Sequence, residues 1–73
     1  MNYAIEQRQR LIDFLLNYYD SVSREEIKNY FGLEGATVTR DFQLYKRNHP
    51  SNTMMNKQSK RWVKLETFVR VYQ

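Results

Sequence analysis

The sequence has no cysteine, a single histidine, one proline and two glycines. Without cysteine the chain lacks a disulfide framework, a thiol nucleophile and a zinc site of the CxxC type. His49 alone supplies too few ligands for a typical zinc site, and a loop histidine without a placed partner makes a poor catalytic triad. We therefore expect no metal and no cofactor, and we expect that the protein is not an enzyme.

Long hydrophobic runs are also absent, so we expect neither a membrane-spanning helix nor the core of a signal peptide. The chain has 73 residues, of which 41% are hydrophobic and 15% aromatic. This composition is sufficient for one small core and argues against a disordered tail. We expect a single domain over residues 1–73.

The charges are distributed unevenly along the chain. Met1 to Asp41 contains five Arg or Lys against seven Asp or Glu, whereas Phe42 to Gln73 contains seven against one, and the total is +4. The second half is therefore strongly basic. This asymmetry favours a polyanionic partner for the second half and a scaffold role for the first.

Apolar residues at helical spacing predict three helices, over about residues 3–19, 24–31 and 35–47. Ser23 and Glu26 form a capping box at the start of the second helix, and Gly32 ends it. The first helix has additional apolar residues, which are either plain core or part of a dimer contact. They are Leu11, Phe14 and Tyr18.

The pattern changes after Pro50. Residues 53–65 read as a β-hairpin whose turn is the polar stretch 56–59, with Met54 and Met55 as filler between hairpin and helices. Alternation in the second arm leaves open whether Trp62 or its neighbours Val63 and Leu65 point inward. Within the C-terminal segment 66–73, Thr67 to Tyr72 is rich in β-forming residues and is either a final strand or an ordered tail. Phe68 to Tyr72 is the alternative candidate for a dimer surface.

Two short helices joined by a glycine-containing turn are typical of a helix-turn-helix, and a hairpin directly afterwards makes it a winged variant. The expected fold class is α+β, mainly α, with three helices followed by a β-hairpin wing. Five inner residues would fix the crossing of the two helices. They are Ile27, Phe31, Leu33, Val38 and Phe42.

The run VSREEIKNYFGLEGATVTRDFQLY, from Val22 to Tyr45, resembles the winged helix-turn-helix of DeoR-type regulators. The stretch beyond it, to Phe68, is similar to the N-terminal DNA-binding domain of bacterial WYL-domain transcription factors, where a Pro-x-Asn loop leads into a Lys-x-aromatic wing. The ligand-sensing WYL domain does not follow here, so the resemblance implies a stand-alone reader or an excised domain. Glu34 departs from the usual Ser or Thr cap of the third helix.

The third helix is the expected reader of DNA, because a major groove about 12 Å wide admits one α-helix. Arg40 can pair with guanine and Gln43 with adenine, while Ala36 and the threonine methyls suit thymine. The candidate base-reading residues are Gly35, Ala36, Thr37, Thr39, Arg40 and Gln43. The candidate phosphate contacts are Ser23, Lys46, Arg47, Lys57, Lys60, Arg61 and Lys64.

The sequence thus predicts a regulator, and a repressor rather than an activator, that binds double-stranded DNA, with a homodimer as one expected arrangement. We expect it in the bacterial cytoplasm, associated with the nucleoid when bound, with no membrane partner and no small-molecule effector. One alternative is a winged-helix protein–protein interaction module of a phage, plasmid or bacterial assembly. Another is single-strand or RNA binding through Trp62 and the tyrosines.

Overall fold

The computed structural model describes residues 2–72. Its helices are α1 (Tyr3–Tyr19), α2 (Arg24–Phe31) and α3 (Gly35–Asn48), and its strands are β1 (Ser21–Val22), β2 (Thr53–Asn56) and β3 (Arg61–Lys64). A β-hairpin follows the last helix, which confirms the predicted winged helix-turn-helix fold class.

Local capping interactions define the two ends of α2. Ser23 Oγ accepts from the Glu26 amide at 3.2 Å, and Glu26 Oε1 accepts from the Ser23 amide at 2.8 Å, which confirms the capping box. Gly32 ends α2 with φ 66°, a left-handed conformation that glycine adopts without a Cβ clash. Glu34 is the N-cap of α3 but makes no side-chain capping hydrogen bond.

The core is formed by residues from all three helices and from β1. Seven apolar side chains are buried: Ile12, Leu16, Val22, Ile27, Val38, Phe42 and Tyr45. Phe31 and Leu33, which the sequence placed among the inner residues, are only partly buried and pack against the edge of this cluster. Burial of these faces fixes the angle at which α3 crosses α2.

The sheet has three strands in the order β1-β3-β2, and all pairs are antiparallel. The sequence did not predict β1, whose two residues pair with the centre of β3. Trp62 lies opposite Val22 on one side and Met55 on the other, so these three side chains share one face of the sheet. On this face Trp62 stacks on Phe42 with ring centroids 5.2 Å apart, which identifies Trp62 as the inward residue.

The prediction that Met54 and Met55 fill the space between wing and helices is wrong. Met54 is 49% exposed because it lies on the face opposite Trp62, next to Val63. Met55 shares the face of Trp62 but lies one pair closer to the hairpin turn, and it is 36% exposed.

The segment after β3 forms no strand in the described residues and is an ordered tail. Asn52 binds Val69 in both directions, since its Oδ1 accepts from the Val69 amide and its Nδ2 donates to the Val69 carbonyl, each at 2.9 Å. The buried Asp13 carboxylate accepts from the amides of Val71 and Tyr72 at 3.1 and 3.2 Å. Two buried polar side chains therefore hold the tail against α1 and the loop after α3.

Candidate nucleic-acid interface

The third helix has one buried and one exposed face. Val38, Asp41, Phe42 and Tyr45 are buried, whereas Ala36, Arg40, Gln43 and Arg47 are exposed. The exposed residues follow each other at spacings of four, three and four, so they form one continuous stripe along the helix. We call these four residues the exposed stripe. Neither the hairpin nor the tail, as described to Tyr72, covers it.

Buried polar contacts hold α3 against α1. Arg8 Nε donates to Asp41 Oδ2 at 2.6 Å, with the two side chains 13% and 5% exposed. Gln9 is also buried, and its Nε2 donates to the Asp41 carbonyl at 2.8 Å. Because the Asp41 carboxylate is buried and paired with Arg8, it does not place a negative charge on the exposed stripe.

A second polar contact ties the C-terminal half of α3 to α1. The Tyr45 hydroxyl donates to Asp13 Oδ1 at 2.5 Å and accepts from Asn52 Nδ2 at 3.1 Å. Burial raises the pKa of Tyr45, and the hydrogen bond to Asp13 raises it further. The helix is therefore anchored at its centre through Asp41 and closer to its C-terminal end through Tyr45, which gives the exposed stripe a fixed orientation.

Three of the six predicted base-reading residues lie on the exposed stripe: Ala36, Arg40 and Gln43. The other three are half-buried and flank it. Gly35 and Thr39 lie on the side of α2, where Thr39 Oγ1 accepts from Arg24 Nη1 at 3.4 Å. Thr37 lies on the other side, in a shallow groove that Arg8 also lines. The structure thus groups all six around one surface.

The hairpin tip places two of the predicted phosphate contacts in solvent. Lys57 and Lys60 are exposed, and the turn between the strands is held by Asn56 Oδ1, which accepts from the amides of Gln58 and Ser59 at 3.0 and 3.1 Å. Lys60 has φ 59°, a left-handed conformation that is uncommon for a residue with a Cβ. No ion pair is formed by either lysine within residues 2–72.

Arg61 connects the wing to the helix-turn-helix. Its Nη2 is 2.6 Å from Glu26 Oε1, and its Nε donates to Ser21 Oγ at 2.9 Å. Burial acts to raise the pKa of Glu26, but hydrogen bonds from Ser23 and Arg61 outweigh it and the net pKa is lowered. The same carboxylate therefore caps α2 and binds β3.

Three further predicted phosphate contacts have partners inside the protein. Lys46 Nζ donates to the carbonyls of Pro50 and Thr53 at 3.0 and 2.7 Å. Lys64 Nζ donates to the Asn17 carbonyl at 3.1 Å and is 3.3 Å from Asp20. Ser23 serves as the α2 cap, as described above. Arg47, in contrast, extends the exposed stripe at the C-terminal end of α3.

Sequence reasoning missed one cation at this surface, Arg24. It is the first residue of α2, and its guanidinium lies beside Gly35 and Thr39 at the start of α3. The sequence feature that could have indicated it is a basic residue directly after the capping serine, at the start of the helix that precedes the reader helix. Within residues 2–72 there is no cluster of three or more metal-ligating side chains, and no helix is long and apolar enough to cross a membrane.

Comparison with known protein families matches residues 4–73 to the family described as the BrxR transcriptional regulator winged helix-turn-helix domain. No curated protein matches the chain. The family match supports a winged helix-turn-helix regulator. The narrower likeness to DeoR-type regulators and to WYL-domain transcription factors stays a prediction.

Proposed function

Because this chain belongs to the BrxR transcriptional regulator winged helix-turn-helix domain family, we propose that it binds specific sequences of double-stranded DNA with α3 in the major groove. The wing tip lies along the phosphate backbone in this arrangement. Occupying the operator then blocks transcription, which makes the protein a repressor.

The exposed stripe on α3 is the observation that carries this proposal. A helix in the major groove contacts base edges with its N-terminal residues, and Ala36 and Arg40 lie in the first two turns of α3. The Arg40 guanidinium can donate to guanine O6 and N7, and the Gln43 amide can pair with adenine N6 and N7. The anchoring contacts of Asp41 and Tyr45 support this role, because base reading needs a helix that does not shift.

The basic residues fall into two groups, those exposed to solvent and those bound to other parts of the protein. Lys57, Lys60 and Arg47 are exposed, and their charges are available to phosphates at the two sides of the groove. The second group holds the wing in place through contacts within the protein, so we expect it to contribute less to phosphate binding than the exposed group. Its members are Lys46, Arg61 and Lys64.

A homodimer would place two copies of α3 on successive turns of DNA, about 34 Å apart. The aromatic side of α1 is one proposed contact, since Phe14 and Tyr18 are 49% and 61% exposed and their rings are 4.6 Å apart. Leu11 packs partly against the core. Together with Phe14, Tyr18 and the tail residue Tyr72 it lines an open pocket, so the tail segment 68–72 borders the same surface. Sedimentation at tens of micromolar, with and without operator DNA, tests this arrangement, and a monomer in both would contradict it.

The proposed function is tested by selecting bound sites from randomised duplex and measuring variants on the selected site. Arg40→Ala should lower discrimination at one base pair, whereas Lys60→Ala should weaken all duplexes alike. Lys28→Ala is the matched control, because it removes the same charge from α2 at a residue that pairs with Glu25. Identical effects of Arg40→Ala and Lys60→Ala across sequences would contradict the assigned roles.

Salt dependence separates this function from a protein-interaction module. With three available cations in each of two copies, contacts to about six phosphates should lower duplex affinity roughly 10³-fold between 50 and 200 mM salt. A flat dependence, or no duplex binding at low salt, would favour the interaction module. Tighter binding to single strands would favour the third alternative.

A further inference from the structure

Arg24 lies at the seam between α2 and α3, on the border of the exposed stripe. Its Nη1 is 3.4 Å from Thr39 Oγ1. Its Cζ and Nη1 are each 3.7 Å from the position that a Cβ on Gly35 would occupy. The guanidinium is therefore packed along the first turn and a half of α3, although Arg24 belongs to α2.

The electrostatic surroundings of Arg24 differ from those of three other arginines in the protein. Arg8, Arg10 and Arg61 each bind a carboxylate, at 2.6 to 2.8 Å. Arg24 forms no ion pair with any residue in the range 2–72, and its one hydrogen bond there goes to a neutral hydroxyl. Four of its five N–H donors thus have no hydrogen-bonded partner in that range.

Two features hold this side chain in place. The capping box fixes the backbone of Arg24 at the first position of α2. The guanidinium lies against the first turn of α3, at ordinary van der Waals distance from the position that a Cβ on Gly35 would occupy, and its hydrogen bond to Thr39 Oγ1 holds it there while Arg24 remains exposed. A guanidinium that is packed on the reader helix enters the groove together with that helix.

We infer that Arg24 is a specificity-determining residue that reads a guanine next to the base pair contacted by Arg40. The inference rests on the proposed function and adds a reader that α2 contributes. Thr39 lies on the side of α3 nearest Arg24, and Arg40 is the next residue in the chain. We therefore expect Arg24 and Arg40 to contact neighbouring base pairs. A planar guanidinium with free donors matches the O6 and N7 acceptors of guanine, and this pairing is the commonest specific protein–DNA contact.

The test compares Arg24→Ala and Arg24→Lys with the wild type on the selected duplex and on every single-base-pair variant of it. Both substitutions should lower discrimination at one base pair by about 5- to 150-fold, because lysine keeps the charge but loses the bidentate fork. Discrimination at the other positions, including the one affected by Arg40→Ala, should be retained. Lys28→Ala is the control, since Lys28 lies one turn further along α2 and pairs with Glu25 at 3.9 Å.

Three outcomes would overturn the inference. A uniform loss in Arg24→Ala with a smaller salt dependence, restored by Arg24→Lys, would identify a phosphate contact instead. Unchanged DNA binding with altered thermal stability would identify a purely structural residue. A wild type that does not bind duplex would overturn the proposed function as well, which distinguishes that failure from the other two.

Discussion

Replacing Glu26 by glutamine separates two roles for Arg61, a contact to phosphate and an anchor for the wing. Glutamine at this position of a capping box still accepts from the Ser23 amide, so the start of α2 is retained. The substitution removes only the charge that Arg61 binds at 2.6 Å. It thereby loosens β3 from α2 and releases Nη2 of the guanidinium from a charged partner, while the bond from Nε to Ser21 Oγ remains.

The two roles predict opposite changes in DNA affinity for Glu26→Gln. If Arg61 acts as an anchor, Glu26→Gln releases the wing and duplex binding weakens. If Arg61 acts mainly on phosphate, losing a competing carboxylate strengthens binding. The structure favours the anchor, because Arg61 also donates to Ser21 Oγ and so binds both α2 and β1.

The loss of stability should be small because the ion pair is partly exposed, with side chains 37% and 46% accessible. Such pairs contribute about 0.2–1 kcal/mol, which corresponds to a fall in Tm of roughly 1–8 °C for a domain of this size. The pKa of Glu26 is lowered in the folded state, so this contribution is present above the unfolded pKa of about 4.3 and is lost as pH falls through the folded value.

Thermal unfolding and fluorescence anisotropy on the selected duplex measure both effects. Glu25→Gln is the control, since it makes the same charge change at the adjacent residue, whose partner Lys28 is 3.9 Å away. Arg61→Ala and the double variant complete a thermodynamic cycle. Tighter binding by Glu26→Gln than by Glu25→Gln would refute the anchoring role of Arg61.

Two further predictions concern stability. Arg8→Ala should lower the free energy of unfolding by about 3–5 kcal/mol, because it leaves the Asp41 carboxylate buried without its partner. Urea denaturation checks this, with Arg8→Met combined with Asp41→Asn as the less destabilised control, and a loss below about 1 kcal/mol would contradict it. Stability should also fall above about pH 10. The pKa of Tyr45 is raised in the folded state, so the protonated hydroxyl contributes to stability. That contribution is complete below the unfolded pKa of about 10 and is lost as pH rises through the folded pKa. Tm measured from pH 8 to 11 tests this, and Tyr45→Phe, which lacks the hydroxyl bond to Asp13, should show a smaller alkaline loss from a lower starting stability.

Some of the candidate site could be predicted from the sequence because its determinants are local. The exposed stripe follows from the positions of Val38, Phe42 and Tyr45, since burying one helix face exposes the opposite one. The role of Arg24 could not be predicted in the same way, because it depends on where α2 crosses α3. The distribution of free and paired cations depends likewise on partners that are distant in sequence.

Residue spacing predicts the capping box at Ser23, the left-handed stop at Gly32 and the amphipathic α3, because these depend on residues three or four positions apart. Contacts between elements establish that Ser21–Val22 pairs with β3, that Trp62 faces Phe42 and that Arg61 binds Glu26. They also establish that Asp13 holds the tail, across 58 and 59 residues. Local spacing fixes a side chain's face on its own element, but only the packing of elements selects the partner that it meets.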